Sequence, residues 1–292
     1  TMVDYSSGEI TTAEAAELIR AVDEAFRTDE ILFYPGISYR HCMIWHQGPV
    51  GLNLTPPHDI SDRKITEYLP QNPVILDLMK RSYEILKDHP LNQDRMARGL
   101  NPANSIWLWG EGTRPGVTGF EAAYGVKASV ISAVDLIKGI GLCAGMKVIE
   151  VEGATGNIDT NFKGKGEAAL KTLLDGQDLV YIHVEAPDEC GHHGDLEGKI
   201  QAIERIDQDI VGPLLKGLEE AGEDYSILVM PDHPTPISIK THISDPIPYL
   251  LYCSTDVTDS GIDTYTEKTG KSTGVYVEPG YLLMQQLLKI EL

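Results

Sequence analysis

Ala15, Leu18, Ile19, Val22 and Phe26 recur at spacings of three and four, which predicts an amphipathic helix, and Thr11 with Glu14 forms a capping-box signature at its start. Residues 31–34 and 40–45 read as short strands around Pro35-Gly36, the pattern of a hairpin. A second helix is expected over 73–89, with Ile75, Leu76, Met79, Tyr83, Ile85 and Leu86 as its apolar side, and a short one over 92–99. Residues 105–109 read as a strand that delivers Gly110, Gly112, Thr113 and Arg114 into a turn closed by Pro115-Gly116. From about residue 119 the pattern changes. Strands at 127–132, 147–150, 179–184 and 225–230 alternate with helices at 134–140, 164–174 and from 196, followed by an apolar run at 248–252 and a closing helix over 281–292. Along the helix from 196, Leu196, Ile200, Ile203, Ile206 and Ile210 mark one side, Glu197 and Glu204 belong to a solvated face, and Gly212-Pro213 disturbs it late. Such alternation predicts an α/β fold with a mostly parallel sheet covered by helices. The change of pattern puts a domain boundary near residue 118.

Composition narrows the classes. A chain of 292 residues with 42% hydrophobic and 23% charged positions is globular and long enough for one large domain or two ordinary ones. Its formal charge of -20 argues against nucleic acid and anionic membranes as partners, so an anionic substrate would need the few Arg and Lys gathered in one place. No apolar run is long enough to span a membrane, since Asp135 and Lys138 interrupt the best candidate, and the start shows no signal-peptide pattern. Cys42, Cys143, Cys190 and Cys253 are scattered without CxxC spacing, which favours a reduced, cytoplasmic protein. Cys190 has no obvious activating base beside it and is not read as a nucleophile.

The chemistry concentrates after two apolar strands. The sequence YIHVEAPDECGHHGD breaks from a strand into a loop bearing Asp188, Glu189, His192 and His193, and Asp232-His233 follows the strand at 225–230, with His242 a few residues on. Ligands bind at the carboxyl ends of strands in open α/β sheets, and Asp/His sets suit Zn²⁺ or Mn²⁺. Asp188, His192 and His242 offer one carboxylate and two imidazoles with a position left open, while Asp232 and His233 can face a second ion. Elsewhere, Arg114 on its Gly-rich turn suits a phosphate or carboxylate clamp, with a solvated surface Arg as the alternative. His58-Asp59, ending NLTPPHD, reads as a helix start capped by Asp59 or Ser61, or as a substrate contact.

APDECGHHGD, PDHPTP and THISDPIPYLLY, with DYSSGEITTAEAAELI near the start and WGEGTRP in the middle, resemble the archaeal-type cofactor-independent phosphoglycerate mutases of the alkaline phosphatase superfamily over nearly the whole chain. The resemblance implies an alkaline phosphatase-like core, here residues 119–292, with an inserted α+β subdomain, here 1–118, that handles substrate. It implies two divalent ions, Mn²⁺ or Zn²⁺, and transfer of phosphate from 3-phosphoglycerate onto a serine and back to the 2-hydroxyl. By motif, Asp188, His192 and His242 hold one ion and Asp232 with His233 the other, while Arg114, and more loosely Arg40 and Lys127, meet the substrate. The family's nucleophilic Ser and a further Asp ligand belong to a preceding segment whose motif this chain does not show; Ser6 and Ser7 do not match it. A fragment, a processed form or a laboratory truncation is therefore expected, completed by the missing segment or by a homo-oligomer. Two rival readings are another phosphatase or phosphomutase of the superfamily, and a non-catalytic metal-binding remnant.

Overall fold

In the computed structural model, which describes residues 1–289, α1 (Thr12–Phe26) begins where the capping signature places it. The Thr11 hydroxyl accepts the Glu14 N–H at 3.3 Å and donates to the Glu14 carboxylate at 3.1 Å. The buried side of α1, with Leu18, Ile19, Val22 and Phe26, packs on the antiparallel hairpin β1 (Ile31–Pro35) and β2 (His41–Trp45) and on α2 (Pro73–Leu86). α3 (Pro90–Ala97) comes next. Its Arg95, 2% exposed, is held by Glu14 and by the carbonyls of Ser7 and Asn101. These elements belong to the first of two compact units, Thr1–Pro115; the second is Gly116–Leu292.

Two expectations in the first unit change. Residues 105–109 form no strand: Ile106 and Leu108 do pack against the core, but the Ile106 N–H donates to the Ser82 hydroxyl at 3.0 Å, so its backbone donor is satisfied without a ladder. On α2 the buried positions are Ile75, Leu78, Met79, Ser82 and Leu86, and Tyr83 is 45% exposed. Ser82 can occupy the core because its hydroxyl donates to the Met79 carbonyl at 2.7 Å.

The second unit opens with α4 (Phe120–Tyr124) and is built on a three-stranded parallel sheet. Fully buried β3 (Ala128–Ile131) lies between β4 (Lys147–Val148) and β5 (Leu179–Ile182), with α5 (Asp135–Cys143) and α6 (Phe162–Leu174) as the connecting helices. α7 (Ala186–His193), α8 (Leu196–Arg205) and α9 (Gly212–Ala221) lead to a separate antiparallel pair, β6 (Ser226–Val229) and β7 (Leu250–Cys253), and then to α10 (Glu267–Ser272) and α11 (Leu283–Leu288). The closing helix is expected to run to 292; residues 290–292 lie outside the described residues. No helix among the described residues is long and apolar enough to cross a membrane.

The helix expected from 196 is interrupted by a π segment, Ile206–Val211. A π turn adds a residue and rotates the rest of the helix about its axis, so Ile210 is buried while Leu196, Ile200 and Ile203 are 58%, 48% and 51% exposed. The inward face of α8 is instead Gly198 and Ala202. A Cβ on Gly198 would lie 3.0 Å from Cys190 Sγ, so the small face is the one that can lie close to α7.

Candidate metal centre

The stretch expected as a loop after β5 is helical. Pro187 sits in the first turn of α7, and Gly194 ends it in the left-handed conformation at φ 72°. Asp188 in the first turn and His192 in the last are favourably placed for the helix dipole, and as an i, i+4 pair they share a face. Asp188 Oδ2 is 3.3 Å from His192 Nε2.

The third group arrives from beyond β6. His242 Nε2 lies 3.0 Å from His192 Nε2 and 3.4 Å from Asp188 Oδ1. The His192 Nδ1 is 3.0 Å from the Lys240 carbonyl, which only accepts, so Nδ1 carries a proton and a neutral His192 presents the Nε2 lone pair to the cluster. Zinc ligands at about 2.0–2.1 Å in tetrahedral arrangement are ~3.3–3.4 Å apart. The Asp188, His192 and His242 atoms, at 3.0–3.4 Å, fit that spacing.

A second triad overlaps the first: single ligand atoms of Asp188, His233 and His242 all fall within 4.8 Å of one another. The His233 and His242 rings stack with centroids 3.8 Å apart, and His233 Nε2 is 3.3 Å from Asp232 Oδ2. The five residues expected as ligands thus form one cluster at the carboxyl ends of β5 and β6, and its two halves share space around Asp188 and His242.

The other candidates lie elsewhere. Lys127 is exposed at the amino end of β3, so four strand residues, or ~13 Å, separate it from the carboxyl ends where the parallel strand β5 leads into Asp188. Arg40, His58 and Arg114, all exposed, belong to the first unit. There Arg40 stacks on Tyr39 at 4.4 Å, and the ring contacts continue through Tyr5 to His58 and on to Trp109. Arg40 and His58 are therefore joined by one aromatic chain. The segment holding His58 is a 3₁₀ turn, Pro57–Ile60, without a side-chain cap, so Asp59 does not cap it; His58 contacts Asp59 at 3.6 Å instead. Ser6 and Ser7 are buried, with the Ser6 hydroxyl bonded to Asp4.

Three groups absent from the sequence-based set lie at or lead up to the cluster. Lys165, fully buried on α6, donates to the His183 carbonyl at 3.2 Å, and burial pushes its amine down to about 8 against the pull of Glu185. The His183 ring meets the Ser132 hydroxyl at 3.1 Å. Burial lowers its pKa against the charge of Asp232; Lys165 adds to the lowering and Asp188 opposes it. Thr235, 4% exposed, donates its hydroxyl proton to Asp188 Oδ1. Lys165 had a sequence signal, a lysine on the apolar side of a helix between Phe162 and Ala169. Thr235 had none beyond its place two residues after His233.

A metalloenzyme superfamily model matches residues 66–275, which contain all five clustered residues, and a model of 2,3-bisphosphoglycerate-independent phosphoglycerate mutase matches residues 1–92. A probable 2,3-bisphosphoglycerate-independent phosphoglycerate mutase of Geobacter sulfurreducens is 49% identical over 290 residues, covering 98% of this chain and 72% of the relative. The chain belongs to that mutase family. A second mutase, from Methanosarcina barkeri, is 50% identical over 273 residues, covering 92% of this chain and 68% of its own. Among solved structures, a Pyrococcus horikoshii protein superposes with TM-score 0.72 at 23% identity, covering 99% of this chain and 72% of that one. The cofactor-independent phosphoglycerate mutase of Thermoplasma acidophilum does so with TM-score 0.58 at 21% identity, covering 98% and 72%. These structures share the fold, a mixed α/β architecture with a parallel sheet. Membership of this mutase family and the superfamily match make metal dependence a family property, and the clustered carboxylates and imidazoles are a donor set that fits it.

Proposed function

We propose that this chain carries the divalent-metal centre of an enzyme that interconverts 3-phosphoglycerate and 2-phosphoglycerate through a phosphoserine. Asp188, His192 and His242 hold one ion and Asp232 with His233 the other, as Mn²⁺ or Zn²⁺. The observation that carries the reading is the convergence of His192 Nε2, His242 Nε2 and Asp188 within 3.0–3.4 Å, with the His192 tautomer fixed by the Lys240 carbonyl. An ion bound there supplies positive charge to phosphoryl oxygens and favours ionisation of a nearby hydroxyl.

The chain's own residues define the rest. Asp188 brings one negative charge to the cluster, and the helix dipole and the Thr235 hydroxyl hold it in place. Arg114, and Arg40 with His58 on their aromatic chain, are the groups of the first unit proposed to meet the phosphate and carboxylate of the substrate; Arg offers the forked donors such anions need. The four free cysteines suit a reducing, cytoplasmic setting, and the proposed reaction a glycolytic role. The test is an isomerisation assay on the protein as it occurs in the cell, with 3-phosphoglycerate compared against p-nitrophenyl phosphate before and after chelation. Chelator-sensitive formation of 2-phosphoglycerate, well above ester hydrolysis, is expected. Faster hydrolysis of the ester would move the assignment to a phosphatase.

A further inference from the structure

The Thr235 hydroxyl touches one proposed ligand of each ion. It contacts Asp188 Oδ1 and lies 3.3 Å from His233 Nδ1. A hydroxyl has one proton and two lone pairs. The Asp188 carboxylate only accepts, so the proton goes to Asp188, and the hydroxyl oxygen is left to accept from His233 Nδ1–H. We propose that Thr235 is a positioning residue that couples the two halves of the centre: it anchors the Asp188 carboxylate and sets His233 in the tautomer whose Nε2 lone pair faces the ion. The proposal rests on the ligand assignment above.

Thr235 is itself held rigidly. Lys199 Nζ donates to the Thr235 carbonyl at 2.7 Å, and that carbonyl would lie 2.6 Å from a Cβ on Gly191, so the segment is pressed against α7 with no room to drift. Pro234 and Pro236 flank it and fix φ on both sides. One contact works against the tautomer: Asp232 Oδ2 sits 3.3 Å from His233 Nε2 and favours a proton there. Asp232 is exposed whereas Thr235 is buried, so water weakens the first contact more than the second.

The experiment compares zinc affinity of the wild type, Thr235→Val, Thr235→Ser and His242→Ala by competition with a chromophoric chelator. Val removes the hydroxyl at similar volume and Ser keeps it. Loss of a hydrogen-bonding partner behind metal ligands weakens affinity by about 10–100-fold, so Val is expected to fall in that range while Ser stays near wild type. Val binding as tightly as wild type, or Ser binding as weakly as Val, overturns the proposal. If His242→Ala leaves zinc binding intact, the ligand assignment has failed instead, and Thr235 is judged on the metal-free chain. There, nitrogen NMR at alkaline pH reports the Nδ1-protonated fraction of His233. It should drop in Val and not in Ser; equal fractions in all three overturn the proposal.

Discussion

Gly191→Ala probes how the centre is assembled. Gly191 is buried on α7, between Asp188 and His192, where an alanine Cβ would lie 2.6 Å from the Thr235 carbonyl oxygen and 3.0 Å from both Lys199 Nζ and Thr235 Cγ2. Two effects oppose. Replacing Gly in a helix gains ~0.8–1 kcal/mol, and forcing a methyl against packed atoms costs ~1–3 kcal/mol. The net stability loss is therefore only ~0–2 kcal/mol, or ~0–8 °C at ~2–4 °C per kcal/mol. Metal affinity is the sharper readout. The nearest obstacle is backbone, so relief must come from separating α7, which carries Asp188 and His192, from the segment carrying His233 and Thr235. Ligand sets tolerate about ±0.2 Å, so a shift of a few tenths of an ångström should weaken zinc binding about tenfold or more, at ~1.4 kcal/mol per tenfold. Gly139→Ala on α5 is the control: beyond its chain neighbours and its own helix backbone nothing lies within 4 Å of its Cβ, so it should gain stability and leave binding unchanged. The assay is thermal unfolding with chelator present, followed by zinc competition. A Gly191→Ala protein that binds zinc like wild type would refute the close-approach argument.

Lys165→Met should flatten the alkaline side of the stability profile. The folded amine is pushed down to about 8 from 10.5, so between those values the unfolded chain binds more protons and stability rises with pH. Urea unfolding should show that rise in wild type and not in the Met variant; parallel curves would contradict the assigned burial penalty. Arg114→Ala should lower mutase activity about tenfold or more, since hydrogen bonds to charged groups are worth ~1.5–3 kcal/mol. Zinc affinity should be unchanged; equal losses in both would remove Arg114 from the substrate contacts.

Much of the fold was legible in the sequence because it depends on local period. The capped helix at Thr12–Phe26, the hairpin around Pro35-Gly36 and the alternation around β3 and β5 follow from spacing and turn chemistry. The five clustered residues were legible because Asp and His at strand ends are few. What escaped depends on tertiary partners. α7 reads as a loop, since Pro187, Gly191 and two histidines have poor helix propensity; yet Pro fits the first turn, and Gly191 is what permits the close approach to Thr235. The burial of Ile210 on a different side from Leu196 and Ile200 follows from a π segment that no periodicity shows. The 105–109 stretch is apolar enough to read as a strand but joins no ladder among the described residues, and a serine hydroxyl takes the Ile106 backbone donor instead. Lys127 looked like a substrate group by motif, and only the direction of β3 reveals that it stands at the other end of the sheet.

The central claim, that Asp188, His192 and His242 hold a divalent ion, is tested most directly by native mass spectrometry of the chain after loading with Zn²⁺ or Mn²⁺, alongside His242→Ala. The account predicts at least one tightly held ion that survives buffer exchange in wild type and is lost in the variant. No retained ion in wild type, or equal retention in both, would contradict it.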